Sequence, residues 1–225
     1  MSASKTFFQL DQAKQQAVVD TALSEFSEHG FHQASTNRMA QVLGIAKGSF
    51  FKYFGNKEGL FRYVFEHCKD LFSAPLRSIR AQTQGKDFFT RVEQSLLAGL
   101  AFIQRHPRVY RLYIKMLHQE RFPLRETLLA EVRAASAKYL RSLVREAQAN
   151  QELRPGLDQD AVVFFLDAVM DRFLLAHTLA FMDADLGLFQ ADQETTRHHL
   201  AQLMAIIRHG LADDGGTPFE ETPHA

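Results

Sequence analysis

Arg38, Lys47, Lys52 and Lys57 fall within residues 35–57, and no aspartate or glutamate stands among them. An enzyme core or an ordinary bundle has no reason to exclude acids from such a stretch. A surface facing phosphates does, since its affinity comes from neutralising them. The run LGIAKGSFFKYFGNKEGLF, Leu43 to Phe61, adds rings and glycines to the lysines, with Glu58 as its one acid.

Helical geometry sorts these residues. At about 100° per residue, Phe50 and Phe54 share one side of a short helix, as buried anchors. Gly48, Ser49 and Lys52 point roughly the opposite way. Gly48 weakens a helix by about 1 kcal/mol relative to alanine, and its benefit would be close approach of the backbone to a groove. Phe51 and Tyr53 flank this face. Tyr53 offers a hydroxyl, and Phe51 an apolar contact such as a thymine methyl. Lys57 opens the next helix, where a cation is disfavoured by about 0.3–1 kcal/mol. A phosphate docked at that N-terminus would reverse the sign.

These residues need elements to hold them. Val18, Val19, Ala22, Leu23 and Phe26 predict a first helix over Asp11–His29, stopped by Gly30. Thr36 is the expected N-cap of a second, with Met39, Ala40 and Leu43 inward and Gly44 as the turn. A third spans about Lys47–Phe54. Asn56 caps a fourth, from Lys57 to about Ser73, ended by Pro75. Further helices are expected over Asp87–Arg105, Arg108–Gln119, Pro123–Ala149, Asp158–Met182 and Glu194–Leu211. No segment alternates like a strand. The fold class is all-α, with about nine helices. The expected domains are 1–56, a helix-turn-helix DNA-binding unit; 57–212, a larger helical domain; and 213–225, a disordered tail.

The run TNRMAQVLGIAKGSFFKYFGNKEGLF, Thr36 to Phe61, closely resembles the DNA-binding region of TetR-type transcriptional regulators. Those proteins open helix two with threonine, then carry a turn glycine, a lysine-glycine pair, an aromatic pair and Phe-x-x-Lys-Glu. The resemblance covers about residues 11–61. It implies that Thr36 caps its helix against a backbone phosphate. It also implies that Lys47, Gly48, Ser49 and Lys52 face the major groove, and that Tyr53 and Lys57 hold phosphates. The sequence departs from the pattern twice. Ala46 stands where the family often has Ser or Thr, so the recognition helix lacks its side-chain cap. Phe51 stands where the family usually has Tyr, so a hydroxyl contact is missing.

One such unit reads few base pairs, so a symmetric dimer is expected. The last two long helices are its natural interface, and the family's dimers pack these two into a four-helix bundle. Val163, Leu166, Met170, Phe173, Leu174 and Phe181 are too many for one small core. A pocket for an apolar or aromatic effector is expected from Phe88, Phe89, Phe102, Tyr110, Tyr113, Phe122, Phe164 and Phe165, although any one of them also suits ordinary packing. Asp167, Asp171, Arg172 and His177 are polar residues within an apolar helix. The two carboxylates need partners, either an internal salt bridge or a cationic effector. Arg108, Arg111 and Lys115 form a solvated basic strip or an acidic-effector site.

With 225 residues, 46% hydrophobic and 23% charged, the chain is of globular type. Its net charge is zero, so any attraction for nucleic acid is local. Cys68 is the only cysteine. It excludes an internal disulfide and fits a reducing compartment, where it packs or acts as a redox sensor. No signal peptide or membrane span is seen, and a cytoplasmic location is expected. No metal-ligand spacing, nucleophile elbow or phosphate loop is present, so no metal, cofactor or catalysis is expected. The reading is a ligand-responsive repressor that binds a palindromic operator as a homodimer and leaves it when an effector binds. Its rivals are a small helical enzyme using Asp171 and His177, and a helical protein-interaction module.

Overall fold

Aspartates open four of the longer helices. The amides of Lys14, Ala161 and Thr195 donate to the carboxylates of Asp11, Asp158 and Asp192 at 2.8, 2.7 and 2.8 Å. Phe89 and Thr90 donate to Asp87 at 3.1 Å each. Each bond satisfies an amide that the first turn leaves without a partner. The computed structural model describes residues 3–118, 122 and 124–212. Pro123 and the expected tail, 213–225, lie outside the described residues.

In chain order the helices are α1 (Lys5–Phe8), α2 (Gln12–Gln33), α3 (Thr36–Leu43), α4 (Gly48–Phe54), α5 (Lys57–Gln82), α6 (Phe88–Arg105), α7 (Pro107–His118), α8 (Arg125–Ala149), α9 (Gln159–Ala176) and α10 (Gln193–Leu211), with a 3-10 turn at Ala180–Met182. The all-α expectation holds: among the described residues there is no strand, only one isolated bridge from Leu153 to Ala212.

Three boundaries differ from expectation by more than two residues, and the tiny α1 was not foreseen. The first helix continues past Gly30, whose φ of 71° breaks it, to Gln33. The fourth runs through Pro75 to Gln82, although an interior proline removes one amide donor and crowds the preceding turn. The helix expected to reach Met182 ends at Ala176. There Thr178 Oγ1 donates to the Leu174 carbonyl at 3.1 Å, and His177 Nδ1 lies 2.9 Å from that of Phe173. Both side chains satisfy last-turn carbonyls and let the helix stop.

The chain divides into two compact units. The first comprises Met1–Ala74 and Phe102–Arg133. Its core is aromatic: Phe7, Phe26, Phe61 and Phe65 are fully buried. Phe122 joins it, with its ring 5.1 Å from that of Phe31 and 4.9 Å from that of Phe61. The second unit comprises Pro75–Ala101 and Ala134–Ala225. Phe88, Phe89 and Val92 of α6 pack there with Tyr139 and Leu143 of α8, Val163 and Leu166 of α9, and Ile207 of α10. A neighbouring cluster joins Leu96, Leu100, Phe173, Leu188 and Leu200. Together the clusters take in Val163, Leu166 and Phe173, with Met170 and Leu174 partly buried. Of the six residues thought too many for one core, only Phe181 is left outside.

α5 starts in tight contact with the end of α4. A Cβ on Gly59 would sit 2.1 Å from the Phe54 carbonyl oxygen. Backbone cannot yield as a flexible side chain does, so the overpacking should cost about 1–3 kcal/mol. Gly59→Ala is expected to lower the melting temperature by roughly 3–10 °C, read by far-UV circular dichroism. An unchanged melting temperature would show that α4 and α5 are not packed this closely.

Candidate nucleic-acid interface

α3, the Gly44 turn and α4 form a helix-turn-helix. Ser35, not Thr36, caps α3: its hydroxyl accepts from the Arg38 amide at 3.3 Å. Thr36 is the first helical residue, one position past the cap and half-buried. The turn needs glycine, for Gly44 has φ of 63° and left-handed backbone disfavours a Cβ. α4 has no side-chain cap, as Ala46 in the place of Ser or Thr implies.

Phe50 and Phe54 are 2% and 6% exposed, which makes them the anchors expected. The Phe54 ring lies 4.9 Å from that of Phe7 and 5.3 Å from that of Tyr63. α1 is pinned to the same helix, since the Ser4 amide donates to the Tyr53 carbonyl at 2.8 Å. With that side fixed, Lys47, Gly48, Phe51 and Lys52 are exposed, and Ser49 and Tyr53 are half-buried. Beyond its chain neighbours and its own helix backbone, a Cβ on Gly48 would meet no atom within 4 Å. Its φ is not in the left-handed region either, so nothing in the fold requires glycine there.

The other two cations are engaged within the unit. The Lys57 ammonium donates to the carbonyls of His32 and Ala34 at 3.0 and 3.2 Å and sits 5.1 Å over the Phe31 ring. These contacts describe the chain without DNA, and they hold the ammonium at the surface of the head, half-buried. A cation is misplaced at the start of α5 but well placed at the carbonyl-rich end of α2, where the helix dipole is negative. The start of α5 is capped by Asn56, whose side chain accepts from the Gly59 amide at 2.7 Å.

Arg38 donates to Glu25 and to the Gln33 carbonyl, and Glu25 also accepts from the Ser35 amide at 2.8 Å. Burial pushes the Glu25 carboxyl up, but Arg38 and the Ser35 amide outweigh it and hold it below the ordinary carboxylate value. Three acids of this unit, Asp20, Glu25 and Glu28, line a separate cleft together with Val42 and Arg108.

The residues expected to line an effector pocket are spread over both units. Phe102, Tyr110 and Tyr113 belong to the first unit and Phe88, Asp167, Asp171 and His177 to the second. Tyr110 and Tyr113 are together, with rings 5.9 Å apart. Phe88 is buried beside Phe89, and the His177 ring lies 4.7 Å from that of Phe173. Phe164 and Phe165 are exposed on α9, which removes them from any interior lining. Arg108 and Arg111 are exposed and Lys115 half-buried, with Val109, Leu112 and Met116 buried behind them. Cys68 is buried, and burial, with Asp20 adding to it, pushes its thiol up to about 12. That environment suits packing, not redox sensing. Among the described residues, no three His, Cys, Asp or Glu side chains are grouped to hold a metal ion. No described helix is long and apolar enough to cross a membrane.

Comparison with known proteins agrees with this geometry. Residues 18–64 match the bacterial regulatory proteins of the tetR family, and residues 86–212 match the tetracyclin repressor-like C-terminal domain. The chain belongs to the TetR family of transcriptional regulators. It is therefore a DNA-binding regulator of transcription, not an enzyme. It is 23% identical over 197 residues to the "Probable acrEF/envCD operon repressor" of Escherichia coli (strain K12), covering 81% of this chain and 89% of that one. Over 152 residues it is 26% identical to the fatty acid metabolism regulator protein of Bacillus subtilis (strain 168), covering 64% and 73%. A TetR family regulator from Chloroflexus aurantiacus J-10-FL superposes with a TM-score of 0.70 at 27% identity, covering 94% of this chain and 99% of that one.

Two outcomes follow for the TetR head. Lys57→Ala should lower its stability in the absence of DNA by about 1–2 kcal/mol, because two carbonyls lose a charged donor. A melting temperature equal to the parent's would refute the clamp. Glu25 has a depressed folded pKa, so its contribution is full above the unfolded carboxylate value and is lost as pH falls through the folded one. Glu25→Gln should therefore lower stability near pH 7 and flatten its decline toward acid, measured as melting temperature against pH.

Proposed function

We propose that this TetR regulator is a ligand-responsive repressor. It binds a palindromic operator as a homodimer, sets α4 in the major groove, and leaves when a small apolar or aromatic effector binds the C-terminal domain. The observation that carries the DNA contact is Gly48. A glycine that the fold does not need, exposed between Lys47 and Lys52 on an acid-free helix, has its use outside the chain. Bare backbone there permits close approach to a duplex.

Lys47, Gly48, Ser49 and Lys52 then read the groove, with Phe51 as an apolar contact, half-exposed at 50%. Thr36, Tyr53 and Lys57 touch the backbone phosphates, and Lys57 also braces the end of α2. Residues 1–56 act as the reading head, and residues 57–212 serve dimerisation and effector binding in the cytoplasm. Similarity to a fatty acid metabolism regulator accords with an apolar effector.

Dimerisation is supported by α9 and α10. Ala161, Phe164, Phe165, Ala168 and Arg172 are exposed at helical spacing on α9, and Ala201, Ala205 and Ile206 on α10. Only Arg172 in that set is charged. An effector that binds one spacing of the two heads better than another would shift the regulator off DNA, tenfold for each 1.4 kcal/mol or so of differential affinity.

Gel shift on the DNA upstream of its own gene tests the reading. Affinity should fall steeply between 50 and 200 mM salt, on the order of a thousandfold for six phosphate contacts. Gly48→Ala should melt no lower than the parent, since alanine is the better helix former, and lose at least tenfold in affinity. Lys52→Ala should change which sequence is preferred. Full affinity in Gly48→Ala would remove α4 from the interface.

A further inference from the structure

We infer that the connection between α9 and α10, residues 177–192, is an ordered arm that clasps a second copy of this chain and extends the dimer face along Phe181. The inference rests on the homodimer reading above and adds a contact to it.

The connection is built, not slack. The amides of Gly187 and Leu188 donate to the Asp183 carboxylate at 3.1 and 2.6 Å. Met182 donates to the Leu179 carbonyl at 2.9 Å, and Leu186 to that of Asp183 at 3.2 Å. Leu188 is 3% exposed and plugs into the cluster of Leu96, Leu100, Phe173 and Leu200. Ala184, Asp185 and Gln190 all have φ between 55° and 61°, backbone that non-glycine residues adopt at some cost.

What this scaffold presents is apolar. Phe181 is 80% exposed, Leu186 52% and Phe189 37%. A chain that only had to join two helices would gain nothing from holding a phenylalanine in water on a strained loop. Large exposed apolar groups of this kind mark interaction sites.

Geometry chooses the occupant. The exposed stripe of α9 runs Ala161, Phe164, Phe165, Ala168, Arg172. At its end Arg172 Nη1 lies 2.8 Å from the sulfur of Met182, the neighbour of Phe181. Arg172 therefore ties the end of the α9 stripe to the arm at the residue beside Phe181. At 77% and 80% exposure, Phe164 and Phe181 together hold out on the order of 300 Å² of apolar surface, taking about 200 Å² per ring. A stable dimer covers roughly 800 Å² per partner, so the pair supplies a substantial part.

The test uses the full chain. Phe181→Ser, at an exposed position, should leave the circular dichroism spectrum and melting profile of the folded chain in place. It should raise the dimer dissociation constant at least tenfold by sedimentation equilibrium. Phe164→Asp reports on the helical face alone and should give monomers. In a second measurement, p-benzoylphenylalanine replaces Phe181 and the purified chain is irradiated. A covalent dimer on a denaturing gel is expected. Should Phe181→Ser dimerise within threefold of the parent while Phe164→Asp is monomeric, the arm is overturned and the helical dimer stands. If both variants dimerise as tightly as the parent, or the parent itself is monomeric, both readings fall. A purified chain that gives no cross-linked dimer from position 181 also overturns the arm.

Discussion

A helix of seven residues does not hold itself together in water, because fixing its first turn costs more than its few hydrogen bonds return. α4 is such a helix, and it exists because Phe50 and Phe54 are buried. Their burial does more than stabilise. It fixes the rotation of α4 about its own axis, and that rotation decides which side chains reach solvent. Lys47, Gly48 and Lys52 face outward as a consequence. Phe7 completes the anchorage by filling the space beside Phe54, Tyr53 and Tyr63. α1 therefore belongs to the helix-turn-helix, though it carries no reading residue of its own.

The same head shows why counting cations is a poor guide to charge. The chain is neutral overall, and beyond about 10 Å salt screens exposed charges from one another. A cation paired with an acid inside the head adds little to the field a phosphate meets. Arg38 is engaged by Glu25, and Lys57 lies against two carbonyls at the end of α2. Both hold the three-helix unit in shape. Lys47 and Lys52 remain on the exposed face. Within residues 35–57, Arg38 and Lys57 thus carry internal contacts, while Lys47 and Lys52 stand exposed.

How far the sequence could be read follows from the range of the forces involved. Local periodicity and glycine turns disclosed the helices and the anchors Phe50 and Phe54, because those signals lie within a few residues. Position along a helix also hinted at Lys57, whose place at an N-terminus was puzzling. The explanation lay in a partner 23 to 25 residues away, which no local pattern records. α1 was missed because four residues show no period and Phe7 is buried by distant rings. On α9 the error was one of face. Phe164 and Phe165 share an apolar helix with Val163 and Leu166, and hydrophobicity alone does not separate an inner face from an outer one. A helical wheel does, since 161, 164, 165 and 168 fall together and apart from 162, 163 and 166.

That separation bears on how the chain is completed. A helix apolar on opposite sides is stable when both sides are covered, and among the described residues only the Leu166 side of α9 is. In the proposed dimer a two-fold axis supplies the missing cover with the same patch from a second copy. It also fixes the separation of two α4 helices, so that reading one half-site positions the other. Once the first head is bound, the second meets its half-site at a high effective concentration. The exposed rings of α9 would then set the affinity for DNA that they never touch, and a ligand that alters the spacing of the heads would act through the same multiplication in reverse.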